Sequence, residues 1–318
     1  MSHYPAIAAG LFSAAAWGVA SLLFARFLRD HKGDRPPSPA GANLFKNSLA
    51  LICFLAIWPL MGGGLPDSNT MVWLLISGAL GFALGDSLYF AALPRCGVQT
   101  TAMVGQLNVP MAAFFAYAFK GEALSAMTMI GMGLSMGGVL LVLSDPVLNG
   151  GKSRATAFRA GIFFALLHAL SIASGIFVGH VGIEDVGIMP GTIVRIVGGI
   201  LGAFMVAPLW GYLARRLGDK EDSAIREVKA IVEPFKRRDW WKALALASFA
   251  GSVVGLIPYH MALRDLHPGV SAAMFSTTPL FTLMLSRAFG ERFGPRAALG
   301  TLVGFGGVLL VLKGLAPA

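Results

Sequence analysis

Ten stretches of this 318-residue chain are long, apolar and almost free of charge: 5–28, 41–61, 71–93, 97–119, 124–144, 157–180, 187–212, 240–263, 269–289 and 295–315. Crossing the roughly 30 Å hydrocarbon of a bilayer takes about 20 residues of helix. In lipid an irregular backbone has no water to bond, so long apolar runs must be helical. The pattern therefore predicts an all-α integral membrane protein with ten transmembrane helices. Turn chemistry and charge sit between the runs, as in RDHKGDRPPSPA, GGGLPDSN and DPVLNGGKSR. Composition agrees: 56% of residues are hydrophobic and 13% charged, against about 45–50% and about 25% in soluble domains.

The string GGVLLVL occurs at 137–143 and again at 306–312. Extended backwards, 110–143 aligns with 279–312 without a gap, Pro110 on Pro279, Gly121 and Glu122 on Gly290 and Glu291, Gly131 on Gly300. Further back, Gly81, Gly85 and Tyr89 fall on Gly251, Gly255 and Tyr259, and Lys46 and Pro59 on Arg195 and Pro208. The chain reads as two copies of one five-helix unit: residues 1–144, a linker at 145–156, and residues 157–318, with 213–239 a basic loop or surface helix on a membrane face.

An odd number of crossings makes the second copy thread the bilayer in the opposite sense, and the charges follow. Loop 29–40 holds three Lys/Arg and its counterpart 181–190 none; loop 62–69 holds none and its counterpart 213–239 holds eight. Basic loops gather on one face of a membrane, so the swap predicts inverted repeats. The same rule accounts for the net charge of +9 without a nucleic-acid partner. It places the odd-numbered loops in the cytoplasm and both termini outside. Two cysteines, Cys53 and Cys96, form neither a CxxC pair nor a disulfide framework. The first apolar run has no Lys or Arg before it and is long enough to stay in the bilayer, so no cleaved leader is expected.

Pro, eleven residues, Glu, then a helix ending in GGVLLVL, present twice as Pro110–Glu122 and Pro279–Glu291, resembles the EamA-type repeat of the drug/metabolite transporter superfamily. Trp17-Gly18 and GDSLYFAAL at 85–93 resemble it too. The resemblance covers essentially the whole chain. It implies ten helices around a central cavity, alternating access without ATP, and cargo among amino acids, nucleosides and similar metabolites. It also implies both termini in the cytoplasm, against the charge count. A GxxxxGK[ST] phosphate loop is missing from the sequence, and no cofactor is expected.

Polar side chains within apolar spans are costly and normally face the protein interior or a watery cavity. Asp86 lies past the middle of its span, a candidate proton carrier, partner for a substrate amine, or structural carboxylate. His168 falls opposite Trp17 in the repeat; the two suit an aromatic or amphipathic solute at the midplane of inverted-repeat transporters, or His168 is a core side chain satisfied by a helix backbone or hydroxyl. Lys46 is near enough to the edge of its span to snorkel; Arg195 is deeper and would favour an anionic group. Tyr89 and Tyr259 are cavity-lining or interfacial. Gln106 and Asn108 precede Pro110, and Thr277 and Thr278 precede Pro279. Each proline removes a helical hydrogen bond, making Pro110 and Pro279 candidate hinges, with the adjacent amides binding substrate or repairing the helix. Glu122 and Glu291 suit helix-entry roles, and the glycine stripes 131–138 and 300–307 suit close helix packing.

The expectation is a non-enzymatic secondary transporter, an exporter of a small polar or amphipathic metabolite, in a bacterial inner membrane. Its partners are that small molecule and the lipid bilayer, with protons a candidate coupling ion that the sequence leaves open; the chain is a monomer or weak homodimer. A membrane-embedded enzyme would need a clustered catalytic site such as HExxH, which the sequence lacks. A sensor or scaffold would bind without flux.

Overall fold

The computed structural model describes residues 4–29, 38–121, 124–145, 147, 155–183, 186–216, 229–259, 276–290 and 292–315. They form helices and no strand. In chain order these are α1 (Tyr4–Arg29), α2 (Pro39–Met61), α3 (Ser68–Gly78), a π-helical turn (Ala79–Gly85), α4 (Asp86–Gly105), α5 (Asn108–Lys120), α6 (Ala126–Leu143), α7 (Ala155–Ile183) and α8 (Ile188–Arg216). After them come α9 (Glu233–Lys236), α10 (Arg238–Ser248), a second π turn (Phe249–Val254), α11 (Thr278–Ser286) and α12 (Pro295–Leu315). Among the described residues, eight helices are long and apolar enough to cross a membrane.

Helix ends follow local chemistry. Asp67 starts α3 by accepting from the amides of Asn69 at 2.9 Å and Thr70 at 3.2 Å, satisfying donors a first turn leaves open. Ser38 and Ser125 start α2 and α6 likewise. At Gly97 (φ 79°, ψ 163°) two helices meet in a kink inside α4.

Burial is inverted relative to a soluble protein. Leu60, Met205 and Met284 are 86, 76 and 77% exposed, while Ala14, Ser77, Thr101, Ala165 and Ala203 are fully buried. Many large apolar side chains face outward, where lipid replaces water, although others such as Phe54 and Phe164 are buried, and small residues let helices approach one another.

The two copies meet along α6 and α12. A Cβ on Gly138 would stand 2.4 Å from the Gly304 nitrogen and 2.6 Å from the Gly300 carbonyl oxygen. A Cβ on Gly131 would stand 2.6 Å from the Gly307 oxygen. Early residues of one helix thus meet late residues of the other, so the two run antiparallel with backbones in contact. Gly131 is the repeat counterpart of Gly300, and Gly138 of Gly307; the contacts are reciprocal. Asp145, fully buried just after α6, accepts from the Ala297 amide at 2.8 Å and caps α12. At the far end Ser125 donates to the Gly314 carbonyl at 3.1 Å.

Of the basic stretch 213–239, residues 217–228 lie outside the described residues, as do Glu122 and Glu291. Its end does not lie free on the membrane face. Ile231 is 1% exposed, in one cluster with Ala40 and Leu44 of α2, and Phe235 stacks on Phe45 with ring centres 5.3 Å apart.

Candidate functional site

The two π turns occupy equivalent places in the repeat, around Gly81 and Gly85 in one copy and Gly251 and Gly255 in the other. A π turn carries an extra residue, so some carbonyls lose their helical donors, and such turns recur at functional sites. Here side chains from other helices bond carbonyls in and beside the turns, alongside backbone donors such as Asp86 N at Ala83 O and Tyr259 N at Gly255 O. Leu80 O accepts from Ser171 Oγ at 2.7 Å; Ala83 O accepts from Asn43 Nδ2 at 3.0 Å, and Phe82 O from both Asn43 and Asn47. Gly85 O lies 2.8 Å from His168 Nδ1. In the second turn, Gly251 O accepts from Trp17 Nε1 at 2.8 Å, and Gly255 O, just after it, from Ser13 Oγ at 2.6 Å. The first helix of each copy therefore caps the π turn of the other: α7 serves the turn at 79–85, and α1 the turn at 249–254.

His168 is buried, and because a carbonyl only accepts, its Nδ1 carries the proton toward Gly85 O. Its ring edge faces Gly105, where a Cβ would lie 3.3 Å from Nε2. The Tyr89 ring packs 4.9 Å from it, and Tyr89 Oη donates to Ser21 Oγ at 2.8 Å. Across the belt, Trp17 and Tyr259 stack with ring centres 5.5 Å apart. Trp17 and His168, equivalent in the repeat, are thus both held to a backbone carbonyl of the opposite copy. Tyr89 and Tyr259 are half-buried.

Lys46 does not snorkel. Its ammonium pairs with the Asp86 carboxylate at the start of α4, because at this depth an opposite charge is a better partner than distant water. The two side chains are 12 and 22% exposed, and the Lys46 ammonium stands 6.0 Å from the Phe82 ring centre. Arg195 approaches the same ring from α8, its guanidinium carbon 4.8 Å from the centre. Arg195 sits where α3 and α8 touch: a Cβ on Gly78 would overlap the Arg195 carbonyl oxygen at 1.9 Å. Its Nε is buried with no hydrogen-bond partner. Tyr259 and Asp86 are its electrostatic neighbours. In the repeat Lys46 and Arg195 are equivalent, but Asp86 corresponds to Leu256, so the second copy lacks the carboxylate that would match its cation.

The helix breaks about one turn before Pro110. α4 ends at Gly105 and α5 begins at Asn108, with Pro110 its third residue; Leu107 N still bonds Val104 O at 3.1 Å. α11 begins at Thr278 with Pro279 its second residue, and Leu280 N bonds Thr277 O at 2.9 Å. Gln106 and Asn108 are half-buried at the first break, beside the Gly105 that faces His168. The structure thus gathers Trp17, Asp86, Tyr89, His168, Arg195 and Tyr259 into one belt, with Gln106 and Asn108 at its edge.

Sequence reasoning missed the side chains that hold this belt: Ser13, Ser21, Asn43, Asn47, Phe82 and Ser171. Asn43 and Asn47, four apart around Lys46 in an apolar span, were the visible signal. It also missed a buried cross-link in which Gln99 Nε2 donates to Thr301 Oγ1 at 2.7 Å and Thr282 Oγ1 donates to Gln99 Oε1 at 2.8 Å.

Comparison with known proteins agrees with this arrangement. The profile of the EamA-like transporter family matches residues 4–144 and 159–313, once for each copy. A solved crystal structure superposes with a TM-score of 0.54 over 97% of this chain and 96% of that one, at 16% identity, a likeness of fold alone. Two proteins of Stenotrophomonas maltophilia, strains K279a and R551-3, each described as "Putative manganese efflux pump MntP", are 30% identical over 163 residues, 50% of this chain and 75% of theirs. This multi-pass membrane protein belongs to the EamA-like transporter family of the drug/metabolite transporter superfamily.

Proposed function

We propose that the protein is a secondary transporter of ten helices in two inverted five-helix repeats, exporting a small amphipathic metabolite across a bacterial inner membrane by alternating access. The reciprocal capping of the π turns carries the reading, because it sets a polar, aromatic belt at the junction of the two copies. Antiparallel packing of the equivalent helices α6 and α12 supports inversion. The stretches 97–119 and 269–289, the first broken at Gln106–Leu107 and the second described from residue 276, complete the ten spans. Rocking of the halves would use Pro110 and Pro279 as hinges and open the belt to each side in turn. Asp86 and His168 are the groups through which protons would couple. The manganese named for the two relatives is a poorer fit, since the belt sets two cations against one carboxylate.

The test is stabilisation of the purified protein by a panel of amino acids, nucleosides, organic acids, amines and Mn²⁺, followed by counterflow of each hit in proteoliposomes. A ligand of the folded state raises its apparent stability by mass action. The reading expects at least one organic hit that undergoes counterflow and loses affinity on His168→Ala. Binding without counterflow of any hit is the outcome of a sensor or scaffold and overturns it.

A further inference from the structure

Building on the transport reading, the charge inventory of the belt narrows the cargo. The first copy matches its cation with a carboxylate, Lys46 with Asp86. The second copy places Arg195 at the equivalent position and Leu256 where the carboxylate would stand. No ion pair or hydrogen bond to the Arg195 side chain forms among the described residues, and its Nε is buried without an acceptor. The Arg195 side chain is half-buried with its Nε shielded, and a cation so placed favours a counter-charge. Among the described residues the belt holds two cations, Lys46 and Arg195, and one carboxylate, Asp86, which leaves one positive charge over. Guanidinium presents a planar fork of donors that fits a carboxylate bidentately. The Phe82 ring lies 4.8 Å from it, Tyr259 is an electrostatic neighbour, and Trp17 packs against Tyr259 with ring centres 5.5 Å apart.

We infer that Arg195 is the anion anchor of the site and that the cargo is a small monocarboxylate with a planar apolar body. The carboxylate supplies to Arg195 the charge that Asp86 supplies to Lys46, and the rings of Phe82, Tyr259 and Trp17 take the body. The Lys46–Asp86 pair, already matched in charge, leaves Arg195 as the cation the cargo meets.

The experiment uses three probes of one shape and different charge: phenylacetate, phenylacetamide and phenethylamine. Binding to the purified full-length protein is read by thermal shift and by displacement of labelled phenylacetate. Phenylacetate is expected to bind at least tenfold more tightly than the amide or the amine. Arg195→Gln should weaken phenylacetate tenfold or more while leaving the amide within about twofold. Arg195→Lys, which keeps the charge but loses the fork, should fall between. Equal or tighter binding of the amide or amine by the unaltered protein overturns the inference, and needs no variant to fold. Unchanged phenylacetate affinity in a folded Arg195→Gln protein overturns it as well. Counterflow in proteoliposomes separates the two levels. Preference for the acid in binding without counterflow supports the anion site while the transport reading fails; counterflow of the amine but not the acid supports transport and overturns the anion site.

Discussion

Replacing Gly138 by Ala puts a methyl group between two backbones. Its Cβ would lie 2.4 Å from the Gly304 nitrogen, 2.5 Å from the Gly304 Cα and 2.6 Å from the Gly300 carbonyl oxygen. Ordinary van der Waals contact between carbons begins near about 3.5 Å, so α6 and α12 must separate by roughly 1 Å. No flexible side chain can yield instead, since all three obstructing atoms are main chain. Inserting a methyl into a filled interface costs about 1–3 kcal/mol, occasionally more. Alanine also favours the helix over glycine by up to about 1 kcal/mol, which partly offsets that cost. Gly137, one residue earlier, is the internal control: nothing lies within 4 Å of its Cβ position, so Gly137→Ala receives only the helix gain. The difference between the two variants isolates the collision and is expected to be about 1–3 kcal/mol. The assay is equilibrium unfolding of both variants in the same mild detergent, followed by loss of tertiary signal. Equal stability of Gly138→Ala and Gly137→Ala would refute backbone contact between the two copies along α6 and α12.

Three further outcomes follow from the same geometry. Asp86→Asn removes the counter-charge of Lys46; because both side chains keep some exposure, the cost should be about 1–3 kcal/mol, below that of a fully buried pair, and Lys46→Met added to Asp86→Asn should recover most of it in a double-mutant cycle. His168→Ala takes the donor from the Gly85 carbonyl and should cost about 1–3 kcal/mol; an unchanged melting temperature would show that the first π turn does not depend on α7. At Asp67, hydrogen bonds, chiefly from the Thr70 side chain, hold the carboxyl below its ordinary 3.8. A lowered folded-state pKa favours the ionised form, so the start of α3 is firm above that ordinary value and loosens as pH falls through the lowered one. Hydrogen exchange at Asn69 and Thr70, corrected for intrinsic rates, should show this dependence, and Asp67→Ala should abolish it.

Much of this architecture is written in the chain at long range. Length and hydropathy place the helices, and the doubled GGVLLVL marks the two helices that meet. The equivalence of Lys46 with Arg195 and of Asp86 with Leu256 already contains the charge imbalance of the belt. Three features escape such reading for physical reasons. Lys46 stood close enough to a span end to reach water, and only the fold shows that Asp86 on another helix is nearer. The π turns leave hydrophobic periodicity almost unaltered, since one extra residue shifts a helix face by less than a third of a turn; the repeated Gly81, Gly85, Gly251 and Gly255 hinted at them without specifying their shape. The break at Gln106–Leu107 sits a turn before Pro110 because it is the preceding carbonyls that lose their donor.

The most direct test of the central claim, a belt reached in turn from both sides of the membrane, is thiol labelling of Gln106→Cys in a Cys53→Ala, Cys96→Ala background. A membrane-impermeant maleimide is applied separately to right-side-out and inside-out vesicles. Alternating access predicts labelling from both faces, each slowed by a cargo that occupies the belt; labelling confined to one face in every condition would contradict it.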